Sequence, residues 1–217
     1  MKIEVFSDIA CPYCYIGKRH LSEALSRFEH RDGVEVVWRS FQLQPDADGD
    51  GVATSTDMLV EKRGLPRDQV IEMTGRLREQ AAAIGLDMHP GKAITANTRD
   101  AHRLLQLAKE HGLADDVKEL LFRAHFTDLK DVQDVGVLRQ VALTGGLPET
   151  EVDSLLGGDD FDEAVAADQN DALHFGVQGV PFFIFDRKFA VSGAQPVDAF
   201  ERALEQTWAD EGEPVTQ

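Results

Sequence analysis

The sequence predicts an α/β protein in which a long helical segment interrupts a small sheet. Strand-like sequence rich in Val, Ile, Phe and Trp occurs only near the two ends of the chain. Between the ends, about 110 residues carry apolar side chains at helical spacing, with no strand-like alternation. Neither end alone has enough strands to bury a face of a sheet, so we expect the two ends to complete one sheet together. We therefore predict a discontinuous α/β domain of residues 1–45 and 160–217 around a helical insertion domain of residues 46–159.

The N-terminal end predicts a strand, a helix and a second strand. Lys2–Ser7 is rich in Ile, Val and Phe, which favour a buried strand. A helix is predicted over residues 12–28, because apolar side chains recur there every three or four positions. Residues 34–43 are rich in Val, Trp and Phe and form the second predicted strand. The helix between the two strands is long enough for a parallel crossover.

The middle of the chain begins with a loop at residues 44–55, rich in Asp, Gly and Pro, and then becomes helical. Three apolar stripes predict its longer helices: Val70, Met73, Leu77, Ala81 and Ile84; Ala101, Leu104, Leu105 and Ala108; and Val117, Leu120, Leu121 and Ala124. Shorter helices are predicted over residues 134–143 and 148–156, with Pro148 in a first helical turn.

The C-terminal end returns to strand-like sequence at residues 180–185. Asp186 and Arg187 predict a tight turn, and residues 188–192 predict a strand paired with the one before it. A last amphipathic helix follows, and these apolar residues line it: Val197, Phe200, Leu204 and Trp208.

The chain is acidic, with 22 Lys and Arg residues against 39 Asp and Glu residues and a net charge of −17. This charge repels nucleic-acid phosphates and anionic membranes, so neither partner is expected. No apolar run is long enough to span a bilayer. The N-terminus begins in strand-like sequence without a signal-peptide pattern, so we expect a cytoplasmic protein.

The two cysteines, Cys11 and Cys14, stand three positions apart in a Cys-Pro-Tyr-Cys motif. The motif joins the first predicted strand to the first predicted helix, and Pro12 suits the first helical turn. The free N–H groups of a helix N-terminus stabilise a thiolate, so we expect the pKa of Cys11 to fall from about 8.5 into the range of roughly 3.5–7.5. Cys11 is expected to project at the helix tip as the accessible, attacking sulfur. Cys14, one turn behind it, is expected to resolve a mixed disulfide.

Two structural interpretations compete with this chemistry. A zinc site needs four ligands, and the chain has neither a second cysteine pair nor a short-spaced histidine pair. A purely structural disulfide between the cysteines would close a very small loop and add little stability. We therefore expect a redox role for the pair and no bound metal.

Residues 176–183, with the sequence GVQGVPFF, carry a second signal. Proline at the start of a strand donates no ladder hydrogen bond. A cis Val180–Pro181 bond would give a sharp turn into the strand, and a trans proline at the strand start is the alternative.

Together with this segment, residues 6–17 (FSDIACPYCYIG) and 97–104 (NTRDAHRL) resemble the DsbA-type thioredoxin superfamily, and most closely its cytoplasmic FrnE-like branch. The resemblance covers nearly the whole chain. It implies a thioredoxin fold with an inserted all-helical domain, and it implies thiol–disulfide oxidoreductase activity.

The resemblance also implies the roles of the site residues. Cys11 attacks, Cys14 resolves, and Pro181 is cis beside Cys11. The backbone groups of Val180 receive an extended substrate peptide. The expected substrate is a cysteine-containing protein or a small-molecule disulfide.

The residues between the cysteines, Pro12 and Tyr13, are expected to contact the substrate, and Tyr13 also to influence the redox potential. The Pro-Tyr pair differs from the Pro-His pair of strongly oxidising periplasmic relatives and resembles the pair of glutaredoxins. No cofactor is expected beyond the redox-active disulfide. Glutathione is a candidate co-substrate, and a homodimer is a candidate assembly.

Two other classes stay open as alternatives. Kappa-class glutathione transferases and 2-hydroxychromene-2-carboxylate isomerases share the architecture but are expected to use serine where this chain has Cys11. A non-catalytic chaperone would bind unfolded protein through the helical segment and would keep that activity without its cysteines.

Weaker signals lie elsewhere in the chain. Residues 46–57 match part of a calcium loop, although Asp replaces the usual Glu at the last position and a solvated acidic loop is the alternative. His20 lies too far along the first helix to act as a base for the cysteines. His102 and His125 lie on helices that can face the cysteines or simply pack, and Tyr15 is expected to pack.

Overall fold

The computed structural model describes residues 1–47 and 51–211. Its strands are β1 (Lys2–Ser7), β2 (Glu35–Ser40), β3 (Phe182–Phe185) and β4 (Phe189–Ser192). Its α-helices are α1 (Pro12–Arg27), α2 (Ser55–Arg63), α3 (Arg67–Ala83), α4 (Arg99–Glu110), α5 (Ala114–Phe126), α6 (Val135–Thr144), α7 (Glu149–Gly157), α8 (Asp162–His174) and α9 (Val197–Glu211). The described strands therefore lie near the two ends of the chain, and the helices α2 to α8 lie between them.

The four strands form one sheet in the order β2-β1-β3-β4. β1 and β2 are parallel, with Val5 beside Trp38, so the crossover through α1 is as predicted. β3 is antiparallel to β1, with Phe183 beside Val5, and β4 is antiparallel to β3. The two ends of the chain thus complete one sheet, which confirms the α/β fold class predicted from the sequence.

Strand β2 is shorter than the predicted residues 34–43, because it ends at Ser40. Beyond this point the Leu43 N–H donates to the Asp8 carboxylate at 2.8 Å. The chain therefore leaves the sheet to cover the loop that leads into α1.

The turn between β3 and β4 is tight, as predicted. Asp186 and Arg187 both have positive φ, 47° and 57°. This backbone belongs to the two-residue turns whose twist matches that of hairpin strands. Arg187 Nε also donates to the buried Glu4 carboxylate of β1 at 2.9 Å, which ties the hairpin to the centre of the sheet.

Helix α1, which carries the cysteines, lies unusually close to β3. A Cβ atom at Gly17 would lie 3.1 Å from both Phe183 Cζ and Pro181 Cγ, closer than side chains normally pack. Glycine at this position therefore permits the approach. One turn further along, Leu21 shares an apolar core with Phe200 of α9, so α1 and α9 cover the same face of the sheet.

The helices between β2 and β3 build an apolar core of their own. Fully buried side chains from four of them meet there: Leu104, Leu121, Leu138 and Val152. Contacts also join these helices to the sheet region, because α5 touches α1, and α8 touches both α4 and β2. The domain boundaries given above stay a prediction. Among the described helices, none combines the length and the apolar character needed to cross a bilayer.

Two local predictions are wrong in this region. Met73 and Ile84, which belong to the apolar stripe predicted for this helix, are exposed, and Ile84 follows the end of α3. The buried residues of α3 are Val70, Leu77 and Ala81, and the last two pack in the cluster that contains the cysteines. Pro148 precedes α7 as its N-cap residue instead of occupying the first turn.

Helix α2 begins inside the segment that resembles a calcium loop. The Thr54 hydroxyl accepts from the Asp57 N–H at 3.2 Å, and the Asp57 carboxylate accepts from the Thr54 N–H at 3.1 Å. Asp57 also pairs with Arg67 at 2.8 Å. The carboxylate expected to close a calcium loop therefore caps a helix. Residues 48–50, at the centre of that loop, lie outside the described residues.

Candidate active site

The two cysteines stand at the N-terminus of α1, directly after β1. Cys11 is the N-cap residue, Pro12 is the first helical residue, and Cys14 lies one turn inside the helix. The Cys11 N–H donates to the Asp8 carbonyl at 3.2 Å, and the Cys14 N–H donates to the Cys11 carbonyl at 3.0 Å. This local structure brings both sulfur atoms to the positive end of the helix, as the sequence predicts.

The loop before β3 lies against the first sulfur atom. The Val180–Pro181 peptide bond is cis, and the Cys11 Sγ–H donates to the Val180 carbonyl at 3.4 Å. Val180 is half-buried and Pro181 is buried. Residues 169 positions apart in the chain therefore meet at one sulfur atom.

The prediction that Cys11 is the accessible sulfur is wrong for this conformation. Cys11 is 4% exposed and Cys14 is 1% exposed. The cause is an apolar cluster that contains both cysteines together with Leu77 and Phe122, and against which Val180 also packs. The outward part of the motif is Tyr13, which is 48% exposed, with Pro12 half-buried beside it.

The predicted depression of the Cys11 pKa is also wrong. The hydrogen bond between the two thiols, followed by burial, raises the pKa of Cys11 well above its ordinary value. The backbone N–H of Cys14 acts in the opposite direction and is outweighed. The sequence motif predicts a helix N-terminus, but it predicts neither the burial of the two thiols nor the hydrogen bond between them.

We therefore expect the alkylation rate of Cys11 in the reduced protein to keep rising with pH beyond the range of an ordinary thiol, about 8.5. The raised pKa leaves little thiolate at neutral pH, and the thiolate is the reacting form. Iodoacetamide labelling followed by peptide mass spectrometry measures this rate. The same protein unfolded in urea supplies the control profile. A plateau reached below neutral pH would restore the original prediction.

Behind the cysteines lies a buried carboxylate, Asp8. Its Oδ1 lies 3.2 Å from His102 Nε2, and its Oδ2 accepts from the Leu43 N–H at 2.8 Å. Burial alone would raise the pKa of Asp8, but the hydrogen bonds with His102 and with Leu43 outweigh burial and lower it. Asp8 is therefore a partnered, charged group directly under the loop that carries Cys11.

The three histidines singled out in the sequence occupy different surroundings. His102 is buried against Asp8, and burial lowers its pKa despite that partner. His125 is buried with its ring edge against Phe126, and burial lowers its pKa to about 4. His20 lies at the surface, with Nδ1 2.7 Å from the Gln195 carbonyl oxygen. The two inserted-helix histidines therefore do lie beneath the site, in uncharged form at neutral pH.

Helix α5 is fastened to α1 beside the cysteines. The Tyr15 ring stacks on Phe122 with ring centroids 4.9 Å apart, and its hydroxyl donates to Glu119 at 2.7 Å. Lys18 of α1 reaches Asp115 at 2.9 Å and Glu119 at 3.2 Å. The packing role expected for Tyr15 is thus observed, and it places one face of α5 directly behind the cysteine pair.

That face carries a residue which the sequence analysis missed, Lys118. Its side chain has no solvent exposure, and its Nζ has no hydrogen-bond partner. The Nζ lies 4.9 Å from the centroid of the Phe122 ring and 5.6 Å from that of Trp38. Burial lowers the pKa of Lys118 to about 8. A lysine is almost never fully buried without a partner, which marks this position as unusual.

A small cavity of about 110 Å³ adjoins the residue before Cys11. Its walls include Ala10, Leu43, Met58 and His125. Leu43 is also 45% exposed at the surface. The cysteines themselves pack among apolar side chains, including Leu77 and Phe122, while Tyr13 and Leu43 reach solvent.

A cysteine pair at the start of the helix after β1, facing a proline that precedes β3 in a four-stranded sheet, defines a redox protein of the thioredoxin-fold class. The sequence matches the DSBA-like thioredoxin domain family over residues 2–205. The chain therefore belongs to this family.

Solved structures agree with this assignment. A probable DsbA oxidoreductase from Streptomyces coelicolor, SCO1869, is 41% identical, with a TM-score of 0.93 over 100% of this chain and 93% of that one. Cytosolic disulfide reductase DsbM from Pseudomonas aeruginosa is 17% identical, with a TM-score of 0.63 over 96% of this chain and 100% of that one. A 2-hydroxychromene-2-carboxylate isomerase is 14% identical, with a TM-score of 0.69 over 98% and 100% of the two chains. The last two show a shared fold.

Proposed function

We propose that this protein is a thiol–disulfide oxidoreductase that reduces disulfides through Cys11 and Cys14. The observation that carries the proposal is the position of Cys11 Sγ, at the N-terminus of α1 and 3.4 Å from the Val180 carbonyl oxygen. A helix N-terminus favours negative charge on sulfur as it develops. A family assignment alone would not specify the reaction, because one fold serves many activities.

The reaction begins when the Cys11 thiolate attacks a substrate disulfide, forms a mixed disulfide and releases one substrate thiol. Cys14 then attacks Cys11, which forms the Cys11–Cys14 disulfide and releases the second substrate thiol. The Val180 carbonyl accepts a hydrogen bond from the resting Cys11 thiol. An extended substrate segment that pairs with the Val180 backbone would replace this contact and free the sulfur for attack.

The substrate contacts proposed here are Pro12, Tyr13, Val180 and Pro181. Tyr13 is half-exposed and Val180 half-buried, so both present apolar surface next to the sulfur. The substrate class that fits is a cysteine-containing protein or a small-molecule disulfide. Glutathione is the proposed source of electrons that regenerates the dithiol, and the cytoplasm is the proposed compartment.

The raised pKa of the Cys11 thiol supports the reduction of substrate disulfides as the direction of the reaction. Strong oxidants of this superfamily are strong because their reduced form is stabilised. Here burial and the contact with Cys14 disfavour the Cys11 thiolate and raise its pKa. The reduced form lacks that stabilisation, which supports a reductant.

A redox titration against glutathione tests both parts of the proposal. We expect the Cys11–Cys14 couple to have a potential closer to about −270 mV, the value of thioredoxin, than to about −120 mV. Alkylation of free thiols and mass spectrometry report the oxidised fraction at each ratio, and Cys11→Ser is the control that cannot form the disulfide. A potential above about −180 mV would contradict the direction. A pair that never forms a disulfide, in a protein that turns over glutathione conjugation or isomerisation, would favour the transferase–isomerase alternative.

A further inference from the structure

The contacts of the buried Lys118 amino group do not explain why the fold keeps a charge at this position. Its Nζ makes no hydrogen bond, and its side chain is fully buried between the rings of Trp38 and Phe122. Cation–π contacts offset only part of the cost of removing an ammonium group from water. An uncompensated charge inside a protein is expected where that charge has a function.

The groups that interact electrostatically with Lys118 are Cys11, Cys14 and Lys18 on α1, Asp8 after β1, and His102 on α4. Asp115 and Glu119 stand close to Lys118 in the sequence of α5 itself. Asp8 is already bonded to His102 and to the Leu43 N–H. Asp115 and Glu119 are paired with Lys18. Among the described residues that act on Lys118, the cysteines are therefore the ones where an anion without another partner can form.

The Lys118 Nζ lies 4.9 Å from the centroid of the Phe122 ring, and Phe122 packs in the same buried cluster as Cys14 and Cys11. Among the neighbouring charges that favour the Lys118 ammonium, a Cys14 thiolate has the largest effect on its pKa. Cys14 is also 1% exposed, so water cannot solvate a thiolate there. In a mixed disulfide Cys11 is neutral, and the next anion required by the reaction is the Cys14 thiolate. The buried ammonium group lies on the ring of Phe122, in contact with the cluster in which that anion forms.

We propose that Lys118 is a positioning residue for the resolving step, holding a positive charge that stabilises the Cys14 thiolate while Cys11 is bonded to substrate. This inference rests on the proposed disulfide exchange. Cys14 loses its proton to solvent, and its thiolate attacks Cys11 Sγ. The Cys14–Cys11 bond forms, the bond from Cys11 to the substrate sulfur breaks, and the electron pair leaves on the substrate sulfur, which is then protonated.

The test uses the reduced full chain and dithiodipyridine, an uncharged aromatic disulfide that releases a coloured thiopyridone. The first equivalent is released when Cys11 attacks, and the second when Cys14 resolves the mixed disulfide. For Lys118→Met we expect a second phase about tenfold slower at neutral pH, since a nearby opposite charge lowers a pKa by about one unit or more. The difference should narrow above pH 8, because burial lowers the pKa of Lys118 to about 8 and the wild-type charge is lost there.

Lys109→Met is the matched control. Lys109 is another lysine whose pKa burial lowers, but its Nζ lies 3.4 Å from Asp168, and its charge is affected by Asp168 and Arg39 and not by the cysteines. Its second phase should match that of the wild type. Lys118→Gln provides a second neutral variant and should reproduce the pH profile of Lys118→Met.

The outcomes are distinct. An unchanged second phase in both Lys118 variants would overturn the inference, and so would a slowing that is equal at every pH, since that indicates a structural effect. The absence of both phases in the wild type would instead refute the proposed function. A normal first phase with a slowed, pH-dependent second phase supports both.

Discussion

Replacing Cys14 with serine is expected to convert transient mixed disulfides into stable covalent complexes between Cys11 and its substrates. A serine hydroxyl cannot attack a disulfide, so the reaction stops after its first step and turnover falls by at least about a hundredfold. The variant, exposed to cell extract and separated on a non-reducing gel, should show new bands that disappear on reduction. Mass spectrometry of those bands identifies the substrate cysteines.

Cys11→Ser is the matched control and should trap nothing, because Cys14 is buried one turn inside α1. Both variants should fold, since a disulfide that closes so short a loop adds little stability. If Cys14→Ser traps no partner and Cys11→Ser keeps its activity on disulfides, the reductase assignment fails.

Replacing Lys118 with methionine is expected to raise the free energy of unfolding by about 3 kcal/mol at pH 7. Burial lowers the pKa of Lys118 in the folded chain from an ordinary 10.5 to about 8, and each unit corresponds to about 1.4 kcal/mol. Below pH 8 the lysine is charged in both states, so the folded chain bears the full desolvation cost. Between about pH 8 and 10.5 the folded chain releases the proton first, and the cost disappears.

The advantage of Lys118→Met should therefore be largest below pH 8 and vanish above pH 10.5. Methionine has a similar length and packs well against aromatic rings. Urea unfolding at a series of pH values measures the difference. Lys109→Met is the control and should gain less, because the Asp168 carboxylate 3.4 Å from its Nζ opposes the effect of burial on its pKa. Equal or lower stability of Lys118→Met at every pH would show that the ammonium is compensated in the fold.

A substitution that stabilises the fold and slows the resolving step would separate the effect of Lys118 on stability from its effect on the reaction. Few positions allow this separation, because most buried charges are paired and their loss destabilises the protein. Stability gained at the expense of activity is a recurrent property of functional sites.

The parts of the structure that follow from local patterns were predictable from the sequence. Short apolar runs at residues 2–7 and 180–192 gave the strands, and the Cys11–Cys14 spacing gave the helix tip. These patterns act over a few residues, so they predict where each element lies, while tertiary contacts determine its ends. The end of β2 could not be predicted, because it depends on the bond from Leu43 to Asp8.

The environment of the cysteines depends on residues far apart in the chain, and here sequence patterns are insufficient. Cys11 is buried by residues from distant parts of the chain, among them Phe122 and Val180, and no periodicity predicts those contacts. The sequence does contain a pattern that singles out Lys118. It shares a face of α5 with Phe122 and His125 at helical spacing, so a charge appears within an aromatic stripe. The apolar stripe that contains Val117 and Leu121 is the stronger pattern, and the buried face of α5 was predicted from that stripe alone.

The pairing of Cys11 with Val180 also affects how the protein is made. The ribosome must add 169 residues after Cys11 before its covering backbone exists. Strands β1 and β2 emerge early, but the edge of β1 that pairs with β3 has no partner until residues 182–185 have been synthesised. Helices such as α4 and α5, whose contacts are local, can assemble meanwhile. The nascent chain therefore carries the Cys11 thiol without its Val180 contact for most of its synthesis, and this part of the site is completed only when residues after 180 leave the ribosome.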